Sequence, residues 1–147
     1  MIKVFNSPLE VSIRLMLLLS LSSEAMTIDR IAAFDFMALF SKQVGLSEKN
    51  IQGENEFCFS EYASRRPILI QAIKDLVLYG LVDVKVSNNG YSYQATPEGK
   101  QRAELLQSEY AISYQEQIVN VSNAFQGKTD LAVNKFVNEK AIKEMRS

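Results

Sequence analysis

A mainly α-helical fold carrying one small antiparallel β-hairpin is predicted by three features of the sequence. Between Pro67 and Gly99 an apolar helix, a two-stranded ribbon and the start of another helix follow one another without a gap. Ahead of that stretch lie two segments apolar at helical spacing, and after it an apolar stripe recurs every three or four residues towards the end of the chain. This order is that of a winged helix-turn-helix, assigned to residues 1–99, with a C-terminal helical extension over residues 100–147. The extension belongs either to the same structural domain or to a partner-binding arm.

Val4 and Phe5 are placed to cover one end of the first helix. That helix is announced by Ser7 and Glu10, a capping pair across Pro8, and runs to about Leu21. Leu15, Met16, Leu17, Leu18 and Leu19 are consecutive, so most of its circumference must be buried and it should lie centrally. Glu10 and Arg14, four residues apart, can pair on its one polar edge. Thr27 caps a second helix reaching to about Ser41, with Ile31, Phe34, Met37, Ala38 and Phe40 on a wide apolar arc. Asp35 interrupts that arc. It is read as lying on the solvent edge, or as buried and paired with Arg14 or Arg30.

Residues Gln43 to Ser60, with Gly45, Asn50, Gly53 and Asn55, form the most loop-like region and are long for a plain turn. Loops of such length in compact domains are often functional, which suits a partner-contacting insertion. The third helix, Pro67 to Tyr79, has proline in its first turn and Gly80 at its stop. Leu69, Ile70, Ile73, Leu76 and Val77 leave only a narrow polar strip of Gln71, Lys74 and Asp75, so the helix should be mostly buried. From Leu81 the period changes to two. Val82, Val84 and Val86 oppose Asp83 and Lys85 in a strand expected to be half-buried, and Asn88-Asn89-Gly90 turns the chain into Tyr91, Tyr93 and Ala95. Thr96, Pro97 and Glu98 then open another helix.

Leu106, Tyr110, Tyr114, Ile118, Val121 and Phe125 predict one continuous helix from Pro97 to about Gln126, on the order of 45 Å long. A stripe that outruns its domain must be covered, either by the last helix folding back after Gly127 or by another polypeptide. Thr129 would cap that last helix, whose apolar residues are Val133, Phe136, Val137, Ile142 and Met145.

Composition narrows the chemistry. The formal net charge is -1, so attraction to nucleic acid or to an anionic membrane must come from a local patch. The chain has no histidine and one cysteine, Cys58, which removes intrachain disulfides, the usual zinc sites and every nucleophile that depends on an imidazole. Cys58 lies among Phe57 and Phe59 and is read as packed there rather than reactive. There is no glycine-rich phosphate loop, no metal-ligand cluster and no nucleophile with a readable base, so a non-enzyme without a cofactor is expected. The Leu15 to Leu21 run is too short to span a bilayer and begins as a capped helix rather than a secretion signal. A soluble cytoplasmic protein with no membrane partner follows as the expectation.

A winged helix that reads DNA presents arginine, lysine, asparagine or glutamine on its third helix and wing. Here Lys74 is offset by Asp75 and Lys85 by Asp83, while Arg65 and Arg66 stand uncompensated unless Glu61 pairs with them. These four cations are the candidate nucleic-acid contacts, and a subunit with so few should bind DNA weakly and in a salt-sensitive way on its own. Protein interaction is the leading reading. Phe57, Phe59, Tyr110, Tyr114, Ile118 and Phe125 are the candidate partner interface, unless they fill the chain's own core.

The phrase Phe5-Asn6-Ser7-Pro8-Leu9-Glu10, followed by Arg14 and the leucine run, then Phe34-Asp35-Phe36-Met37-Ala38-Leu39, resembles the middle components of bacterial ABC-three-component systems. Lamassu-type defence systems are among them. The likeness extends through Leu78-Tyr79-Gly80-Leu81 and Thr96-Pro97-Glu98-Gly99. It implies a winged-helix accessory subunit joining an SMC-like or Rad50-like coiled-coil ATPase to an effector nuclease, with DNA met within the complex. It carries over no catalytic residue, and Ser7, Glu10, Arg14 and Asp35 are equally explained by capping and ion pairing. The alternative is a dimeric winged-helix transcription regulator that pairs through its terminal helices.

Overall fold

The computed structural model describes residues 7–47, 62–88 and 90–146. Among these residues helices and one hairpin follow in the order α1 (Pro8–Leu21), α2 (Ile28–Leu39), α3 (Arg66–Leu78), β1 (Val82–Ser87), β2 (Gly90–Ala95), α4 (Pro97–Glu104), α5 (Glu109–Ala124) and α6 (Asp130–Arg146). The strands form a two-stranded antiparallel sheet. Phe57, Cys58 and Phe59, with the readings placed on them, lie outside the described residues.

Five helix starts follow from side-chain caps, while α3 opens with Pro67 in its first turn and no such cap. Ser7 Oγ accepts from the Glu10 amide at 3.2 Å, Thr27 Oγ1 from Arg30 at 3.2 Å, and Thr96 Oγ1 from Gly99 at 3.0 Å. Ser108 and Thr129 do the same for α5 and α6, at 3.1 Å each. α3 stops at Gly80, whose φ of 74° suits glycine, with the Leu81 amide donating to Leu76 and the Gly80 amide to Val77.

α1 is central, packed against α2, α3, β2, α4 and α5. Val11, Leu15, Leu17, Leu18 and Leu19 are buried, and α2 contributes Ile31, Phe34, Phe36, Met37 and Leu39 to the same core. Two expectations about the hairpin neighbourhood change. α3 buries Leu69, Ala72, Ile73 and Leu76 while Leu78 and Tyr79 are exposed, so it is half-buried rather than mostly buried. In β1 only Val82 is buried, since the hairpin projects past the helices that would cover Val84 and Val86.

The expected single helix from Pro97 is two helices. Leu105 ends α4, Gln107 Nε2 donates to the Glu104 carbonyl at 2.8 Å, and Ser108 starts α5. The break redirects the chain so that α5 packs on α2 and α1, and α6 packs on α2. Phe125 closes the joint, with its ring centroid 6.3 Å from that of Phe34 and 5.1 Å from that of Phe136. Arg30 fastens the α5–α6 turn, donating to the Lys128 carbonyl at 2.9 Å and to Asp130 Oδ1 at 3.1 Å. Thr27 Oγ1 lies 2.6 Å from Asp130 Oδ2.

The base of the hairpin is clipped to α4. The Thr96 amide donates to the Leu81 carbonyl at 3.0 Å, and the Thr96 hydroxyl donates to the Gly80 carbonyl at 2.8 Å. Gly99 sits against that same Leu81 carbonyl, where an added Cβ would overlap backbone oxygen. Gly99→Ala should therefore cost about 1–3 kcal/mol of stability, as a small-to-large change against a backbone that cannot yield. A urea-denaturation midpoint unchanged from that of the unaltered chain would show the contact to be slack.

Candidate functional site

Among the described residues one deeply buried group of charges brings four elements together. Arg14 of α1, fully buried, donates from Nε to Asp35 Oδ1 at 2.9 Å and from Nη2 to Asp35 Oδ2 at 3.2 Å. This two-pronged geometry is the strong form of an arginine–carboxylate contact. Tyr114 of α5 donates its hydroxyl to Asp35 Oδ1 at 2.7 Å, and Tyr110 accepts from Arg14 Nη1 at 3.4 Å. Arg65, at the start of α3 and 7% exposed, places Nη2 3.5 Å from Asp35 Oδ2. Among the described residues none of its three guanidinium nitrogens has a hydrogen-bond partner.

Burial pushes the Asp35 carboxyl up, but the Arg14 and Arg65 charges with the Arg14 and Tyr114 hydrogen bonds outweigh it and hold the group below its ordinary value of 3.8. Burial opposes the Arg14 charge, and Asp35 more than restores it. The Tyr114 hydroxyl is pushed well up by burial and by the adjacent carboxylate, so it stays a donor. An ionised carboxylate with both oxygens occupied is a poor proton acceptor, and the cluster acts as a lock between helices.

Among the described residues no group of three or more histidine, cysteine, aspartate or glutamate side chains is placed to hold a metal ion, and no helix is long and apolar enough to cross a membrane. Two of the depressions in the surface are lined wholly by described residues. One, lined by Leu9, Ile13, Met16, Leu76, Tyr79 and Leu81, is an apolar groove between α1 and the end of α3. The other, polar, lies beside the α5–α6 turn and includes Arg30, Lys128 and Asp130.

The family model described as ABC-three component (ABC-3C) system Middle Component 2 matches residues 4–147. The chain belongs to this family. It is a middle component, working with the other components of an ABC-three-component system. Comparison with curated protein sequences and with solved structures gave no match.

The middle component places its sequence-predicted residues as follows. Arg65 is withdrawn from the surface by Asp35, and Arg66 is paired with Asp29. Lys74 and Lys85 are exposed. Tyr114, Ile118 and Phe125 are buried in the chain's own core and Tyr110 is half-buried beside Arg14, so the aromatic stripe is covered by the chain itself rather than held open for a partner. Asp35 is buried, not at the solvent edge, and its partner is Arg14. Arg30 turns to Asp130 instead. Arg14, expected on a polar edge with Glu10, is fully buried. The roles of Arg65, Tyr110 and Tyr114 in this cluster were not foreseen. A tyrosine pair on the same helix face, Tyr110 and Tyr114, opposite a carboxylate inside an apolar arc, was the signal available for it.

Removing the carboxylate charge leaves Arg14 buried without a counterion, so Asp35→Asn should cost about 3–5 kcal/mol. Because the folded-state value of Asp35 is depressed, its contribution is complete above its ordinary value of 3.8 and is lost as the pH falls through the lower folded value. Urea midpoints measured from neutral to acid pH should fall for the native chain, and the Asp35→Asn chain should lack that component. Tyr114→Phe removes one hydrogen bond to a charged group and should cost about 1.5–3 kcal/mol, against under about 1 for Tyr110→Phe with its longer contact. Equal losses for the two tyrosines would contradict the assigned geometry.

Proposed function

We propose that this middle component is a non-catalytic, winged-helix accessory subunit that links an SMC-like or Rad50-like coiled-coil ATPase to an effector nuclease. The setting is anti-phage or anti-plasmid defence of the Lamassu type, in the cytoplasm. The observation that carries the reading is the family match over residues 4–147. The order α1, α2, α3, β1, β2 supports a winged-helix body, with α3 followed directly by the hairpin as its wing.

Two further observations favour scaffolding over autonomous DNA reading. Of the four cations offered as nucleic-acid contacts, Arg65 is buried on Asp35 and Arg66 is engaged by Asp29. That leaves Lys74 and Lys85 as exposed positive charge on the third helix and wing, too little to neutralise several phosphates. The wing also presents Val84, Val86 and Tyr91 beside Lys85. A protein partner, not a phosphate backbone, fits such a surface.

Tagged chain expressed with its neighbouring genes and washed at moderate salt should retain a large coiled-coil ATPase, identified by mass spectrometry, and the isolated chain should neither hydrolyse ATP nor cut DNA. A chain that purifies without an ATPase and retards DNA from its own promoter would replace this reading with that of a transcription regulator.

A further inference from the structure

Among the described residues the outer edge of β1 from Val82 to Val86 is unpaired, and its sequence is complementary to itself. Among the described residues β1 pairs with β2 alone, and the other side of β2 is bridged by Met26 through Tyr93. The Met26 amide donates to the Tyr93 carbonyl and the Tyr93 amide to the Met26 carbonyl, each at 2.8 Å, so the backbone groups of Tyr93 face away from β1. Tyr93 is opposite Val84 in the hairpin. In an antiparallel ladder the two members of such a pair both turn their backbone groups outward, so the N–H and C=O of Val84 point to the free edge, and by alternation those of Val86 do too.

The side chains along that edge are apolar on one face and of opposite charge on the other. Val84 is 41% exposed, Val86 74% and Tyr91 of β2 62%, a contiguous apolar strip at the tip of the hairpin. On the reverse face Asp83 and Lys85 are exposed. Exposed, flat, apolar edges are templates for pairing, and natural proteins usually blunt or cover them.

We infer that β1 pairs antiparallel with β1 of a second copy of this chain, about a two-fold axis at Val84, to make a four-stranded sheet in the order β2, β1, β1, β2. The register follows from charge. With Val84 opposite the partner's Val84, Asp83 faces the partner's Lys85 and Lys85 faces the partner's Asp83, and both are close, non-hydrogen-bonded positions where side chains interact most. Val82 then faces the partner's Val86, giving the most exposed valine an apolar neighbour. A register centred on Lys85 sets two lysines against each other, and one centred on Val86 places Lys85 against Ser87, so neither satisfies both charges. An interface in which the same patch meets itself is the closed arrangement that two-fold dimers use. It leaves α5 and α6 folded on their own chain, unlike a dimer through the terminal helices. The inference stands independently of the partner ATPase.

The test uses the full chain, with sedimentation velocity over a concentration series. A dimer whose population rises with concentration is expected. Asp83→Lys and Lys85→Asp, at exposed positions outside the core, should each weaken it by about tenfold, since each turns two attractive cross-strand pairs repulsive. Mixing the two variants in equal amounts should restore association, because the mixed dimer again sets opposite charges against each other at both pairs. The difference should shrink in high salt. A chain monomeric at every concentration would overturn the inference. A dimer indifferent to both substitutions, or variants that fail to complement each other, would overturn it equally.

Discussion

The contact between Arg14 and Asp35 is the constraint to which the rest of the structure conforms. Each lies in the middle of an apolar helix, one between Ile13 and the run from Leu15 to Leu19 and the other between Phe34 and Phe36. Taking either charge out of water alone costs several kcal/mol, so any packing of α1 on α2 that separates them is penalised heavily. A pair of this kind gives little net stability against a well-packed apolar replacement. Its effect is to select one arrangement among the many that smooth leucine and phenylalanine faces would permit. Tyr114 and Arg65 extend that selection to α5 and α3, since each must arrive beside the same carboxylate. One buried anion thereby sets the relative positions of four helices.

The hairpin is placed by a different device. Where the cluster uses charge, the hairpin root uses backbone hydrogen bonds at a close approach, with Thr96 spanning Gly80 and Leu81 and Gly99 leaving room for the Leu81 carbonyl. The clip grips only the base of the ribbon. Tyr93 still packs against the core and is bridged to Met26, and beyond it the tip of the ribbon is held by strand pairing alone among the described residues. A ribbon built in this way has a fixed direction and an uncovered tip, which is why valines that read as half-buried in sequence are exposed in the fold.

Local signals in the sequence were legible where the physics is local. The caps at Ser7, Thr27, Thr96 and Thr129 came from a serine or threonine ahead of a helical pattern, the α3 stop from Gly80, and the hairpin from a change of period around Asn88, Asn89 and Gly90. What could not be read was whatever depends on a partner distant in sequence. Asp35 was as compatible with water as with Arg14, because pairing across 21 residues leaves no mark on spacing. Arg65 read as free charge for the same reason. The break between α4 and α5 was a failure of another sort. Ser108 before Glu109 is a helix start like Thr96 before Pro97, but no proline or glycine accompanies it, and the stripe from Leu106 to Phe125 carries the eye across it.

That break changes what the molecule offers to others. As one unbroken rod, the helix from Pro97 would have carried Tyr114, Ile118 and Phe125 beyond the body and left them for a partner. Cut at Ser108, it returns along α2, and the stripe becomes core. Folding back also brings Tyr114 within reach of Asp35, so the turn and the buried charge cluster depend on each other. Without the turn the carboxylate loses its shortest hydrogen bond, and without the carboxylate a tyrosine hydroxyl is buried with nothing to accept it. The consequence for function is a shift of place. A subunit that has used its aromatic stripe internally must meet other chains through what remains exposed, which includes Val86 and Tyr91 on the hairpin and Leu78 and Tyr79 around the end of α3, with Leu105 and Leu131 elsewhere.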